Sequence, residues 1–288
     1  MTEEDAIARM GQSLGPDILA ACRELFDVQQ RALADAVPQA AADIAYGPHE
    51  RQVMDLYAPE GASDPAPVLV FVHGGGFVRG DKGGGESWHN ANVARMAAKA
   101  GLLGVACNYR LAPDHPWPAG AEDVAGVVDW LRAHAADHGG DADRIVLSGS
   151  SAGAVHVAGY LQLRGANAGR EIAGAILMSG LYGYTDLERH DFEYYGAQED
   201  YAAKAPRDAV LEAEVPLLIG SAQYDPARFQ AEFLAIMRDR FERDGIMPQG
   251  FIGRGHNHYS LAMHLGTSDR RVWETLLDFI RTCTGEGA

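Results

Sequence analysis

Val68-Leu69-Val70-Phe71-Val72 is apolar without interruption, the pattern of a strand covered on both faces. Similar short runs recur at 102–107, 144–147, 173–178 and 215–219, with a weaker one at 250–252. Between them the apolar residues change to helical spacing. Val124, Val127, Val128 and Leu131 mark one stripe, and Phe229, Phe233, Ile236, Met237 and Phe241 mark another. Buried strands alternating with helices predict a doubly wound α/β domain, a mostly parallel central sheet flanked by helices. Arg51–Tyr57 alternates instead, like a half-exposed strand, and Ala58-Pro59-Glu60-Gly61 ends it.

Two segments stand outside that rhythm. Residues 1–42 carry Ile18, Leu19, Cys22, Leu25, Phe26 and Leu33 at roughly helical spacing and read as an N-terminal helical segment before the main domain, 43–288. Residues 182–210 hold Tyr182, Tyr184, Phe192, Tyr194, Tyr195 and Tyr201 among acidic residues, where one crossover helix would suffice. An excursion of that length inside a compact domain reads as a lid or binding element.

Charge narrows the partners. With 24 basic and 40 acidic residues the formal net charge is −16, which leaves no surplus to neutralise the phosphates of nucleic acid and disfavours anionic membranes. Cys22, Cys107 and Cys283 lie far apart without metal-like spacing, and read as free thiols in a reducing compartment. The acidic N-terminus has no signal-peptide pattern, and no apolar run approaches the roughly 18 residues of a membrane span. A cytoplasmic protein is expected.

Three loops carry chemistry. Ile145-Val146-Leu147-Ser148 leads into Gly149-Ser150-Ser151-Ala152-Gly153 and then a helix, so G-x-S-x-G stands between a buried strand and a helix N-terminus. That context makes Ser151 the candidate nucleophile. His73-Gly74-Gly75-Gly76-Phe77 follows the first buried strand directly; Gly75, Gly76 and Ala152 could present backbone N–H groups to an oxyanion. A serine nucleophile also needs a base and an orienting acid. Asp225 lies just past the run at 215–219, and His256 and His258 share the loop after 250–252. His258, which precedes an aromatic residue and a helix, is the better placed of the two. A metal site built on His256 and His258 lacks a third ligand nearby in sequence, so neither metal nor organic cofactor is expected.

These blocks, with Tyr109-Arg110-Leu111-Ala112-Pro113-Asp114-His115-Pro116-Trp117-Pro118-Ala119, resemble the hormone-sensitive-lipase-like esterases of the α/β-hydrolase fold. The YRLAPDHPWPA run reads as a proline-braced loop held by the charges of Arg110 and Asp114. The resemblance covers residues 45–284. It implies a triad of Ser151, Asp225 and His258, an oxyanion hole of Gly75, Gly76 and Ala152, and a small helical cap made by the N-terminal helices and 182–210. Phe77, Ser150, Tyr182, Tyr194 and Tyr195 are expected to line a modest apolar acyl or aryl pocket. Ser150 stands where the family usually has Asp, and HNHYS where His-Gly-Phe is common. GSSAGA and NHYS also look like a neighbouring group that includes arylformamidases and small carboxylesterases. The expected function is hydrolysis of short-chain or aryl carboxylic esters, a small-molecule substrate, through an acyl-enzyme. The rivals are an arylformamidase-type amidase with the same triad and a non-catalytic ligand receptor. A homo-oligomer is compatible with the family, although no surface stripe demands one.

Overall fold

A computed structural model describes residues 2–61, 65–85 and 87–285. Two helices come first, α1 (Glu3–Met10) and α2 (Pro16–Ala36), followed by β1 (Ala41–Ala45), β2 (Val53–Tyr57) and β3 (Ala66–Val72). Helix and strand then alternate as α3 (Ala91–Lys99), β4 (Leu103–Cys107), α4 (Ala119–His134), β5 (Gly140–Ser150), α5 (Ala152–Arg164), α6 (Ala168–Glu171) and β6 (Gly174–Met178). Three short helices follow, α7 (Asp191–Tyr195), α8 (Gln198–Lys204) and α9 (Arg207–Glu212). The chain finishes with β7 (Leu217–Tyr224), α10 (Ala227–Asp244), β8 (Gly250–Asn257), α11 (Ser260–Met263) and α12 (Arg271–Thr284).

The strands form one sheet in the order β1-β2-β4-β3-β5-β6-β7-β8. β1 and β2 run antiparallel at one edge and β3 to β8 are parallel. The uninterrupted apolar run of β3 has the predicted cause. Val68, Val70 and Val72 pack on one face with Val124, Val127 and Val128 of α4 and Ala154 and Val157 of α5. Leu69 and Phe71 face the other way, towards Val93 and Met96 of α3 and Trp273, Leu276 and Ile280 of α12. Every residue of β3 is buried.

Two expectations need correction. β1 carries AADIA, with no apolar run to mark it, and the 42/43 boundary falls inside it. Its shape comes from a partner elsewhere in the chain: the Asp43 N–H donates to the buried Asp55 carboxylate of β2, and Lys82 ties Asp43 to Asp55 with ion pairs of 2.8 Å each. Of the two charges expected to hold the YRLAPDHPWPA loop, Arg110 does so, donating through its backbone N–H and its guanidinium to Asp123 of α4, with Glu122 as a second partner. Asp114 is exposed. The buried Asp123 is the natural partner, because a carboxylate taken out of water needs charge-assisted donors.

Cys22 and Cys107 are buried, Cys283 is partly so, and all three are free thiols. Among the described residues, no helix is long and apolar enough to cross a membrane.

Candidate active site

Parallel strands send their C-terminal ends to one side, so the loops after β3, β5, β7 and β8 converge. Ser151 sits at the turn from β5 to α5 with φ 55° and ψ −124°, a strained conformation for a residue with a side chain. Its N–H donates to the Met178 carbonyl at the end of β6 (2.9 Å), which pins the turn to the sheet. The small residue two positions on is required by close approach: a Cβ at Gly153 would collide with the Val72 carbonyl of β3. Ser151 therefore projects, half-buried, at the N-terminus of a buried helix, where the dipole favours developing negative charge.

The glycine loop lies beside it. Gly75 adopts φ 143°, and a Cβ there would collide with the Arg79 carbonyl, so the loop doubles back on itself at that point. His73 braces the loop from below. Its Nδ1–H donates to the Gly74 carbonyl at 2.7 Å, its ring stacks on Tyr109 with centroids 4.4 Å apart, and the Tyr109 hydroxyl donates to the His73 carbonyl. Burial pushes the His73 imidazole down to about 4, so it is a neutral strut at pH 7.

The two histidines of the β8 loop have different surroundings. His258 Nδ1 donates to Asp225 Oδ1 at 2.8 Å, and both side chains are buried. Asp225 Oδ2 accepts from the Ser179 hydroxyl (2.7 Å), the Ser221 hydroxyl (2.8 Å) and the Ala222 N–H (2.7 Å). Burial alone would raise the Asp225 carboxyl, but hydrogen bonding to His258, the His258 charge and the two hydroxyls outweigh it and hold it below the usual carboxylate range. With Nδ1 committed to the carboxylate, His258 leaves Nε2 for another partner. His256 instead stacks on His264, with centroids 3.7 Å apart, and approaches Asp269.

Ser151, Ala152, Gly74, Gly75, Gly76 and His258 share the wall of one cavity of about 680 Å³. The cavity runs between the strand ends and two flanking segments: Leu14, Pro16 and Leu19 reach it from the N-terminal helices, and Leu181 and residues 188–191 from the other side. Of the expected pocket residues, Phe77 and Ser150 line it. Tyr182, Tyr194 and Tyr195 do not. Tyr194 lies behind Phe77, its ring parallel at 4.4 Å, and Tyr195 meets Phe77 edge-on at 5.7 Å. Tyr182 is buried in the core cluster beside α5, β6 and β7. Large aromatic surfaces are stabilised more by burial than by standing open to a cavity, and these three form the packing behind its wall.

Residues 69–228 match the family described as alpha/beta hydrolase fold. The tuliposide A-converting enzyme b1, amyloplastic, of Tulipa gesneriana is 34% identical over 264 residues, covering 85% of this chain and 67% of that protein. The chain belongs to the α/β-hydrolase fold family. The kinship with its hormone-sensitive-lipase-like esterases, expected from the three sequence blocks, holds. The carboxylesterase NlhH of Mycobacterium tuberculosis is 31% identical over 202 residues, 60% of either chain. This α/β-hydrolase chain spans about half, 49%, of another of the tulip enzymes that it matches. Among solved structures, the hyperthermophilic esterase of the archaeon Pyrobaculum calidifontis superimposes with a TM-score of 0.71 at 20% identity, over 99% of this chain and 97% of that one. A bacterial heroin esterase gives 0.68 at 23% identity, over 98% and 97%. Likeness at that identity speaks for the α/β-hydrolase fold alone.

Several residues that shape the site escape motif reading. Ser179 and Ser221, which hold the far oxygen of Asp225, belong to no motif in the sequence. Glu232 of α10 is fully buried and accepts from the N–H groups of Tyr182, Gly183, Tyr184 and Thr185 and from the Thr185 hydroxyl. Arg228 of the same helix donates to Thr185 and to Asp191. No local pattern signals either role, because both partners lie on a segment 37 to 50 residues away.

Proposed function

We propose that this chain is a serine hydrolase of small carboxylic esters, with Ser151 as nucleophile, His258 as general base and Asp225 as the acid that orients it. The observation that carries the reading is the buried Asp225–His258 hydrogen bond of 2.8 Å on the wall of the cavity into which Ser151 projects. Ser151 Oγ attacks the ester carbonyl while His258 Nε2 takes its proton. The carbonyl oxygen becomes an oxyanion, which the N–H groups of Gly75, Gly76 and Ala152 receive. The C–O bond to the alcohol breaks, and His258 returns the proton to the leaving oxygen. Water, activated by His258, then attacks the acyl-enzyme and regenerates Ser151.

The cavity supports a modest substrate. Its volume falls within the range of small-molecule sites, and Phe77, Val155, Leu181 and Phe229 supply apolar lining. The N-terminal helices and residues 182–210 act as the cap over it. Short-chain and aryl acyl groups fit this lining, with graded preference, because one methylene in an apolar pocket is worth only about 1–3 kcal/mol.

The test is hydrolysis of nitrophenyl esters from acetate to decanoate by the wild type and Ser151→Ala, with N-formylkynurenine alongside. Turnover that peaks at short chains and vanishes in Ser151→Ala is expected. Equal turnover by Ser151→Ala would remove Ser151 from the mechanism, and preference for the formamide would replace the ester reading by the amidase one.

A further inference from the structure

We propose that His256, His264 and Asp269 form a binding site for one divalent transition-metal ion of zinc-like preference, structural in role, which ties the His258 loop to the start of α12. The three ligand-capable atoms lie within 4.8 Å of one another, and His256 and His264 are buried. His256 Nε2 and Asp269 Oδ2 are 3.4 Å apart, close to the roughly 3.3 Å between two ligands on a tetrahedral zinc with bonds near 2.05 Å.

Hydrogen bonding supplies the second argument. The Nε2 atoms of His256 and His264 are both buried without a hydrogen-bond partner among the described residues, a costly arrangement for polar atoms in a protein interior. His264 Nδ1 lies 2.9 Å from the Ser260 carbonyl, which can only accept, so Nδ1 carries the proton and Nε2 a bare lone pair. His256 Nδ1 lies 3.3 Å from the Ser260 hydroxyl. That hydroxyl can accept from Nδ1–H while giving its own proton to the Asn257 carbonyl at 3.4 Å, which would free His256 Nε2 as well. One serine thus serves as outer partner to both imidazoles.

Two nitrogens and one carboxylate oxygen suit zinc better than magnesium or calcium, which prefer oxygen sets. The other charges at the site are accounted for. Arg271 donates to both oxygens of Asp269, including the Oδ2 that faces His256, and shares its own charge with Glu4 at 2.7 Å, so an ion would bind Oδ2 through a lone pair that the arginine does not use. His258, two residues from His256, is held by Asp225 and stands outside the cluster. The expectation of no metal weighed His256 together with His258, but the fold gives His256 different neighbours.

The test is titration of chelator-treated protein with zinc ion, followed by calorimetry and by the thermal midpoint, in wild type, His264→Gln, Asp269→Asn and His258→Ala. One equivalent bound with a rise of several degrees is expected in wild type and His258→Ala. Binding at least about tenfold weaker is expected in His264→Gln and Asp269→Asn. Absence of binding in wild type would overturn the proposal. So would unchanged binding in His264→Gln, or its loss in His258→Ala alone, which would place the ion at the catalytic histidine. Should the cluster variants fail to fold, cobalt ion in the wild type decides: strong four-coordinate visible bands support the site, and only the weak bands of an octahedral ion refute it.

Discussion

The two walls of the cavity are held by opposite means. On the sheet side, Ser151, Asp225 and His258 sit at strand ends whose positions are set by backbone pairing, as in the register of Val72 with Gly149 and of Ser150 with Met178. On the other side, α7, α8 and α9 have only five, seven and six residues. Helices so short have little stability of their own. The segment that leads into them, 182–185, is held by Glu232 of α10, and Arg228 of the same helix ties Thr185 and Asp191. The first wall should tolerate loss of polar contacts and fail when a Cβ is added. The second should fail when a single charge is removed.

The contrast can be broken most directly at Asp225. Asp225→Asn should fold, because its carbonyl oxygen can still accept the Ala222 N–H, yet its amide would face His258 Nδ1 and force the proton onto Nε2. Loss of roughly 10⁴ in kcat is expected in ester hydrolysis with folding checked by circular dichroism. Near-wild-type turnover would detach Asp225 from the reaction. Glu232→Ala tests the opposite wall. It leaves four N–H groups of residues 182–185 without their acceptor, and the urea-unfolding free energy should fall by about 3 kcal/mol or more. The kcat for a small acetate ester should meanwhile fall less than Asp225→Asn lowers it. An unchanged unfolding midpoint would show that the short helices hold themselves.

Acid should weaken the sheet side gradually. Burial lowers the imidazoles of His73 and His156 to about 4 and about 3, whereas unfolded histidine titrates near 6.5. Between those values the unfolded chain holds more protons, so stability is full above about pH 6.5 and falls as pH drops towards 4. Each group contributes up to about 1.4 kcal/mol per pH unit. A flat urea midpoint between pH 7 and 5 would contradict the neutral, buried state of these rings. The smallest effect concerns Tyr195, whose buried hydroxyl has no partner among the described residues. Tyr195→Phe should change stability by less than about 0.5 kcal/mol, in the stabilising direction, and leave the ester preference unchanged. A changed chain-length profile would put Tyr195 on the cavity wall after all.

The parallel strands and the three loops that carry the glycines, Ser151 and the histidines were legible because their causes are local. A strand covered on both faces shows in five consecutive residues, and a tight strand-to-helix turn shows in the glycines around Ser151. What could not be read depends on partners distant in the chain. β1 carries no apolar signal because it is an edge strand whose conformation rests on Asp55 and Lys82. Arg110 chose Asp123 over the nearer Asp114 because helix α4 brings a buried carboxylate to it. The tyrosines of 182–210 carried the right composition for a pocket, but the sequence does not tell which face of a short helix turns inward.

The packing of the N-terminal helices has a consequence for the order in which the chain can assemble. The Gly15 N–H donates to the Tyr259 hydroxyl, Cys22 meets Asn257, and the Gln30 amide donates to the Met263 and Leu265 carbonyls, at separations of 233 to 244 residues. Helix α2 therefore lacks part of its resting surface, the Met263 neighbour of Phe26 included, until residues 257–265 have been made. Contacts of such separation form late and slowly. Closure of the cavity consequently waits for residues 257–265: a nascent chain halted before residue 257 would lack both the histidine loop and the surface on which α2 comes to rest.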